Sequence, residues 1–206
     1  MKLLLVAATK AELDKVFEHY KLQGENFITH AKFDILITGV GMTATAFSLG
    51  EYLKSTYNLV VNLGIAGSFD QKIPLGSLVN IETDTFAELG AEDHENFITI
   101  DQLGFGENTY TASYSYDKLP KVKGITVNKV HGNALSIAKT LNKFNPQTES
   151  MEGAAVFYAC KMNNVPCLQV RAISNYVEPR NKENWQISLA INNLNNWIIN
   201  FIENKH

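Results

Sequence analysis

The sequence predicts an α/β fold, a single domain with a central, mostly parallel or mixed twisted sheet flanked by helices. Three observations carry this. Short apolar runs alternate with stretches of helical spacing along the whole chain. Glycine-rich or polar residues close the apolar runs, at Thr9, at Gly39-Val40-Gly41, at Gly64 to Ser68 and at Ser174-Asn175. The 206 residues are 45% apolar and 19% charged, which suits one domain, 1–206, with a substantial core.

The elements follow in order. Residues 3–8 are an apolar run bounded by polar residues. Six apolar residues followed at once by Thr9-Lys10-Ala11-Glu12 read as a buried first strand, not a signal peptide. Leu13, Val16, Phe17 and Tyr20 give residues 10–20 helical spacing. A strand is expected over 33–38, a helix over 43–55 and a strand over 59–63. Further strands are expected over 78–82 and 126–130. A short helix fits 135–141 and a longer one 151–162. Residues 167–173 read as a strand and 185–203 as an amphipathic final helix. Residues 88–122 are rich in Gly, Tyr, Asp and Asn with weak periodicity, and read as a long functional loop region.

Composition excludes several classes. Net charge is -3 and there is no run of five like charges, so neither a nucleic-acid footprint nor a polybasic membrane patch is supported. No apolar run approaches the ~18 residues of a membrane span. Cys160 and Cys167 both lie in apolar stretches, as reduced core thiols of a cytoplasmic protein would. No metal site and no organic cofactor is implied.

In open α/β sheets, ligands bind outside the carboxyl ends of the strands. The polar and glycine-rich signals sit at those ends. Gly39-Val40-Gly41 and Gly64-Ile65-Ala66-Gly67 complete no dinucleotide fingerprint, and no Gly-Lys-Ser/Thr appears. They are either tight strand-to-helix turns or places where backbone amides approach a flat ligand.

Four segments, spread over nearly the whole chain, resemble the purine nucleoside phosphorylase and nucleosidase superfamily, in its nucleosidase branch. They are the first strand with Glu12, Gly39-Val40-Gly41 with its helix, and Asn62-Leu63-Gly64-Ile65-Ala66-Gly67. The fourth is Ser150-Met151-Glu152-Gly153-Ala154-Ala155 paired with Val170-Arg171-Ala172-Ile173-Ser174-Asn175. The resemblance implies a nucleoside phosphorylase-like fold and a nucleoside substrate. It gives Glu152 the ribose hydroxyls, Met151 a place under the sugar, and Glu12 the role of general base activating water. Thr9, Ile65, Ala66, Gly67 and Ser174 would line the substrate. It also implies a homo-oligomer, a dimer or larger.

Two departures refine this expectation. Phosphorylases of the superfamily bind phosphate with arginines, one on the strand before the glycine-rich turn. Here that strand is Leu59-Val60-Val61-Asn62-Leu63, with no basic residue, and the first loop has no glycine nest. Water is therefore the expected nucleophile. The second departure is Asn175, where adenine-specific members carry aspartate. An asparagine amide donates to N7 or O6 and cannot give up a proton, so it suits a 6-oxopurine.

Ser174-Asn175-Tyr176-Val177-Glu178-Pro179-Arg180 resembles the futalosine hydrolase family within that superfamily. The resemblance implies release of hypoxanthine from futalosine with water, in menaquinone biosynthesis. Arg180 is the candidate for the carboxylate of the benzoate-like tail. Arg171, on a buried strand, is expected to brace a carboxylate. Trp185 would lid the site or begin the last helix. Phe86, Phe105 and His131 are candidate pocket walls. A methylthioadenosine/S-adenosylhomocysteine nucleosidase is the alternative enzyme, and a purine-binding protein without turnover is the alternative class.

Overall fold

Strand β1 (Leu3–Ala7) is paired on both sides, by β3 and β4, in the computed structural model, which describes residues 2–204. Its side chains alternate between two apolar layers. Leu3, Leu5 and Ala7 face one, and Leu4 and Val6 the other. A buried strand of this kind needs helices on both faces, and the chain supplies them.

After β1 a 3-10 turn (Lys10–Leu13) leads into α1 (Asp14–His19). Then come β2 (Phe27–Thr29), β3 (Phe33–Ile37), α2 (Met42–Tyr52), β4 (Leu59–Ser68) and β5 (Leu78–Phe86). A hairpin of β6 (Gly90–Asp93) and β7 (Asn96–Thr99) and the short β8 (Thr109–Thr111) precede β9 (Lys121–Thr126). The chain continues with α3 (Ala134–Phe144), β10 (Thr148–Ser150), α4 (Gly153–Met162), β11 (Cys167–Tyr176) and α5 (Ile187–Glu203).

The main sheet runs β10-β9-β5-β11-β4-β1-β3-β2, with β8 on β5. Parallel pairs dominate its centre, while β5 is antiparallel to β11 and β2 to β3. Helices α1 and α5 cover one face through Val16, Phe17, Leu194 and Ile198. Helices α2 and α4 cover the other through Leu49, Val156, Phe157 and Cys160. Strand β10 also pairs with the end of β4, Glu149 opposite Gly67. Strands β4, β11, β5, β9 and β10 thus close into a ring, and the carboxyl ends of three of them meet beside Gly67.

Several expectations need correction. The strand expected over 126–130 is instead Lys121–Thr126. After Val127 the chain leaves the sheet, with Asn128 N bonded to Glu88 and His131 N to Glu149. Residues 126–130 carry β-branched Thr126, Val127 and Val130, but the ladder to β5 ends at Thr126. Strand β4 does not end at Leu63. Its glycine-rich tail stays paired with β11 and β10. Residues 88–122 hold β6, β7, β8 and the start of β9, not a single loop. The last helix begins at Ile187, leaving Trp185 in the connection before it. Strands β2 and β10, three residues each, are too short for periodicity to reveal.

Candidate active site

A cavity of about 480 Å³ opens at the carboxyl ends of β1, β4 and β11. The ten residues given a catalytic or substrate-binding role from the sequence line it: Thr9, Glu12, Ile65, Ala66, Gly67, Met151, Glu152, Ser174, Asn175 and Arg180. His131, Glu149 and Trp185 line it too. Phe86 and Phe105 do not. They border a separate groove of about 770 Å³ with Met42, Tyr110, Tyr158 and Met162.

Glu12 is fixed by its neighbours. One carboxylate oxygen accepts from Thr9 N at 3.0 Å and Thr9 Oγ1 at 3.3 Å, the other from Ile65 N at 3.2 Å. Asn195 of α5 donates to the Glu12 carbonyl at 2.9 Å, tying the turn to the helix behind it. Burial pushes the Glu12 carboxyl above its ordinary value, against the pull of the Arg171 guanidinium and the Thr9 and Ile65 amides. Glu152, itself buried, adds to the rise.

Glu152 stands at the N-cap position of α4. Its Oε1 accepts from Gly41 N at 3.0 Å and its Oε2 lies 3.9 Å from Arg171 Nη2. Gly41 adopts φ 94°, which an L side chain rarely takes, so glycine is what aims this amide at the carboxylate. Gly39-Val40-Gly41 therefore serves Glu152 through its backbone, while Val40 lines the cavity.

Asn175 owes its direction to a β-bulge. Ile173 pairs with Ala66 and Asn175 with Gly67, leaving Ser174 as the extra residue. Ser174 Oγ donates to Asn175 Oδ1 at 2.8 Å, and Asn175 Nδ2 donates to the Tyr176 carbonyl at 3.1 Å. The reverse amide orientation would set two acceptors against each other, so the carbonyl fixes which end is NH2. One N–H of that amide remains for a ligand.

Beneath these groups lies a buried polar chain whose members are far apart along the sequence. Thr126 Oγ1 donates to Asp84 Oδ1 at 2.9 Å and Gln169 Nε2 to Asp84 Oδ2 at 3.0 Å. Gln169 Oε1 accepts from Arg171 Nε at 3.0 Å and Asn62 Nδ2 at 3.3 Å. Arg171 then faces Glu152, as a bracing arginine should; its Nη2 has no hydrogen-bond partner. Burial pushes the Asp84 carboxyl up to about 6, against the Gln169 and Thr126 hydrogen bonds. The missed signal was two further polar residues, Asn62 and Gln169, inside otherwise apolar strands.

The fourth cluster is His131 with Glu149. His131 N and Nδ1 both meet the Glu149 carboxylate, at 3.0 and 2.5 Å, and Thr140 Oγ1 meets Nε2 at 2.8 Å. Arg180 stacks on Trp185, its guanidinium carbon 5.1 Å from the ring centre. Among the described residues, no three His, Cys, Asp or Glu side chains are grouped to hold a metal ion. Cys160 and Cys167 are buried and free, away from the cavity.

Comparison with known proteins bears on this site. The chain is 33% identical to the futalosine hydrolase of Streptomyces coelicolor, over 93% of its own length and 91% of that protein. It belongs to the futalosine hydrolase family. Futalosine hydrolase from Acidothermus cellulolyticus is 30% identical over 94% of the chain and 87% of its own. Residues 126–203 match the Phosphorylase superfamily.

Among solved structures, the methylthioadenosine/S-adenosylhomocysteine nucleosidase of Helicobacter pylori superposes with a TM-score of 0.83 at 14% identity, covering 98% of each chain. The futalosine hydrolase of the same organism gives 0.82 at 13%, covering 98% of this chain and 97% of that one. Both similarities establish the nucleosidase-like α/β fold. The family assignment rests on the sequence relatives.

Proposed function

We propose that this family member hydrolyses the N-glycosidic bond of futalosine, releasing hypoxanthine and dehypoxanthine futalosine for menaquinone synthesis in the cytoplasm. The observation that carries this reading is Asn175, turned into the cavity by the bulge with its amide orientation fixed and one N–H free. A 6-oxopurine presents acceptors at N7 and O6 to such a donor.

The residues then divide the work. Glu12 takes a proton from water, whose oxygen joins the anomeric carbon as the bond to the base breaks. Its raised pKa makes it a better base than a solvated glutamate. Glu152 accepts the ribose hydroxyls and favours the positive charge developing on the sugar, with Met151 beneath the ring. Asn175 holds the departing base by hydrogen bonding, and Ser174 keeps it oriented. Thr9, Ile65, Ala66 and Gly67 shape the walls around the nucleoside. Arg180, exposed and over the Trp185 ring, would meet the tail carboxylate.

The absence of an arginine in β4 and of a glycine nest after β1 favours water over phosphate. Activity as a homo-oligomer fits the exposed apolar side chains Phe47, Phe105, Tyr158 and Met162. The test is product analysis of purified protein given futalosine, with methylthioadenosine as competitor. Hypoxanthine is the expected product. Adenine release alone would transfer the reading to the methylthioadenosine/S-adenosylhomocysteine nucleosidase.

A further inference from the structure

We propose that Glu149, held by His131, is a second base-selecting residue, which accepts the N1–H of a 6-oxopurine while Asn175 donates to its N7/O6 side. This rests on the reading of the cavity as a 6-oxopurine nucleoside site.

Gly67 is the hinge of the geometry. Strand β10 brings Glu149 opposite Gly67 from one side, and β11 brings Asn175 opposite it from the other. Asn175 Nδ2 lies 3.2 Å and Glu149 Cγ 3.5 Å from the point where a Gly67 side chain would begin. Both residues line the cavity. A donor and an acid therefore flank one short stretch of wall.

The surroundings fix Glu149 as an acceptor. The His131 backbone N–H points at Oε1 and the imidazole Nδ1 at Oε2. With Nδ1 donating to the carboxylate, Nε2 pairs with the Thr140 hydroxyl. Each Glu149 oxygen keeps a second lone pair. A 6-oxopurine carries a hydrogen on N1 that can use one. A 6-aminopurine carries a lone pair on N1, which a carboxylate repels. A polar residue lining a pocket beside the base selects strongly, because the wrong base leaves it unpaired. A clip holding residues 127–131 to β10 would explain the bond to the backbone of His131. It would not explain why Glu149 also lines the cavity beside Gly67, on the same stretch of wall as Asn175.

The experiment compares kcat/KM of the whole protein on futalosine, its 1-deaza analogue and its 6-amino counterpart. The 1-deaza base puts C–H in place of N1–H and, in its oxo form, carries a hydrogen on N3, so only the part of the loss that Glu149→Gln removes is assigned to Glu149. Wild-type protein should lose about 10- to 100-fold on it, the range for a hydrogen bond to a charged group. Glu149→Gln should lose a similar factor on futalosine, lose little more on the 1-deaza analogue, and shift the 6-oxo to 6-amino ratio at least about tenfold toward the amine. Equal wild-type rates on futalosine and its 1-deaza analogue would overturn the role of Glu149, and need no variant that folds. An unchanged ratio in Glu149→Gln would reduce the residue to structure. No turnover of futalosine at all would instead sink the proposed function.

Discussion

Glu12 shows how one side chain is made reactive by its setting. Two backbone amides and a hydroxyl hold it, burial raises its pKa, and Arg171 keeps the rise in check. Glu12→Gln keeps the shape and loses the base. Turnover should fall about 10²–10⁴-fold in a chain that still folds, with a lowered melting temperature because the new NH2 faces a backbone N–H that a carboxylate oxygen had accepted. Retention of more than about a tenth of the rate would end the base assignment. The acid limb of kcat/KM should lie above the ordinary glutamate range of ~4.3, since activity needs the ionised form and burial opposes it. In the sequence, Glu12, Glu152 and Asn175 were legible as cavity residues because each belongs to a recognisable motif. Glu149 stood one residue before the motif that begins at Ser150 and escaped, because its partner His131 is 18 residues away and only the fold joins them.

At the scale of elements, β4 and β11 do the positioning. Their apolar halves were readable from runs of Val, Leu and Ile, whereas their polar ends read as turns. Periodicity cannot show that Gly64 to Ser68 stays in the ladder. What keeps it there is contact. A methyl group on Gly64 would overlap the Arg171 guanidinium and crowd Glu12 Oε1, so the strand must be bare at that place. Gly64→Ala should therefore act twice. Overpacking should cost about 1–3 kcal/mol of stability, read by denaturant unfolding. Displacing Glu12 by even an ångström should cost on the order of 100-fold in kcat/KM. Activity within a few-fold of wild type would show that Arg171 and Glu12 can move aside without consequence. The bulge at Ser174 was likewise invisible beforehand, since no residue type announces it.

Across the whole molecule, the polar chain from Asp84 through Gln169 to Arg171 couples the sheet interior to the cavity. Its orientation is set at Asp84, which only accepts; Gln169 must then turn its oxygen to Arg171. Asp84 also leaves a mark on stability. Its folded pKa of about 6 lies above the unfolded value, so its contribution is full below about pH 4 and is lost as pH rises through about 6. The loss is roughly 3 kcal/mol. Asp84→Asn should remove that part of the pH dependence, seen as a wild-type-minus-variant difference in unfolding free energy that falls by roughly 3 kcal/mol between pH 4 and 7. Parallel curves would place the ionisation elsewhere. The alternation of strands and helices made the fold class readable from the start. The closure of five strands into a ring was not, because it depends on the three-residue β10.

The decisive measurement is hypoxanthine release from futalosine by the purified protein, with and without phosphate. Equal release in both, with dehypoxanthine futalosine as the sugar product, is the expected result. A requirement for phosphate, or release of adenine from methylthioadenosine with futalosine untouched, would contradict a water-using site built for a 6-oxopurine.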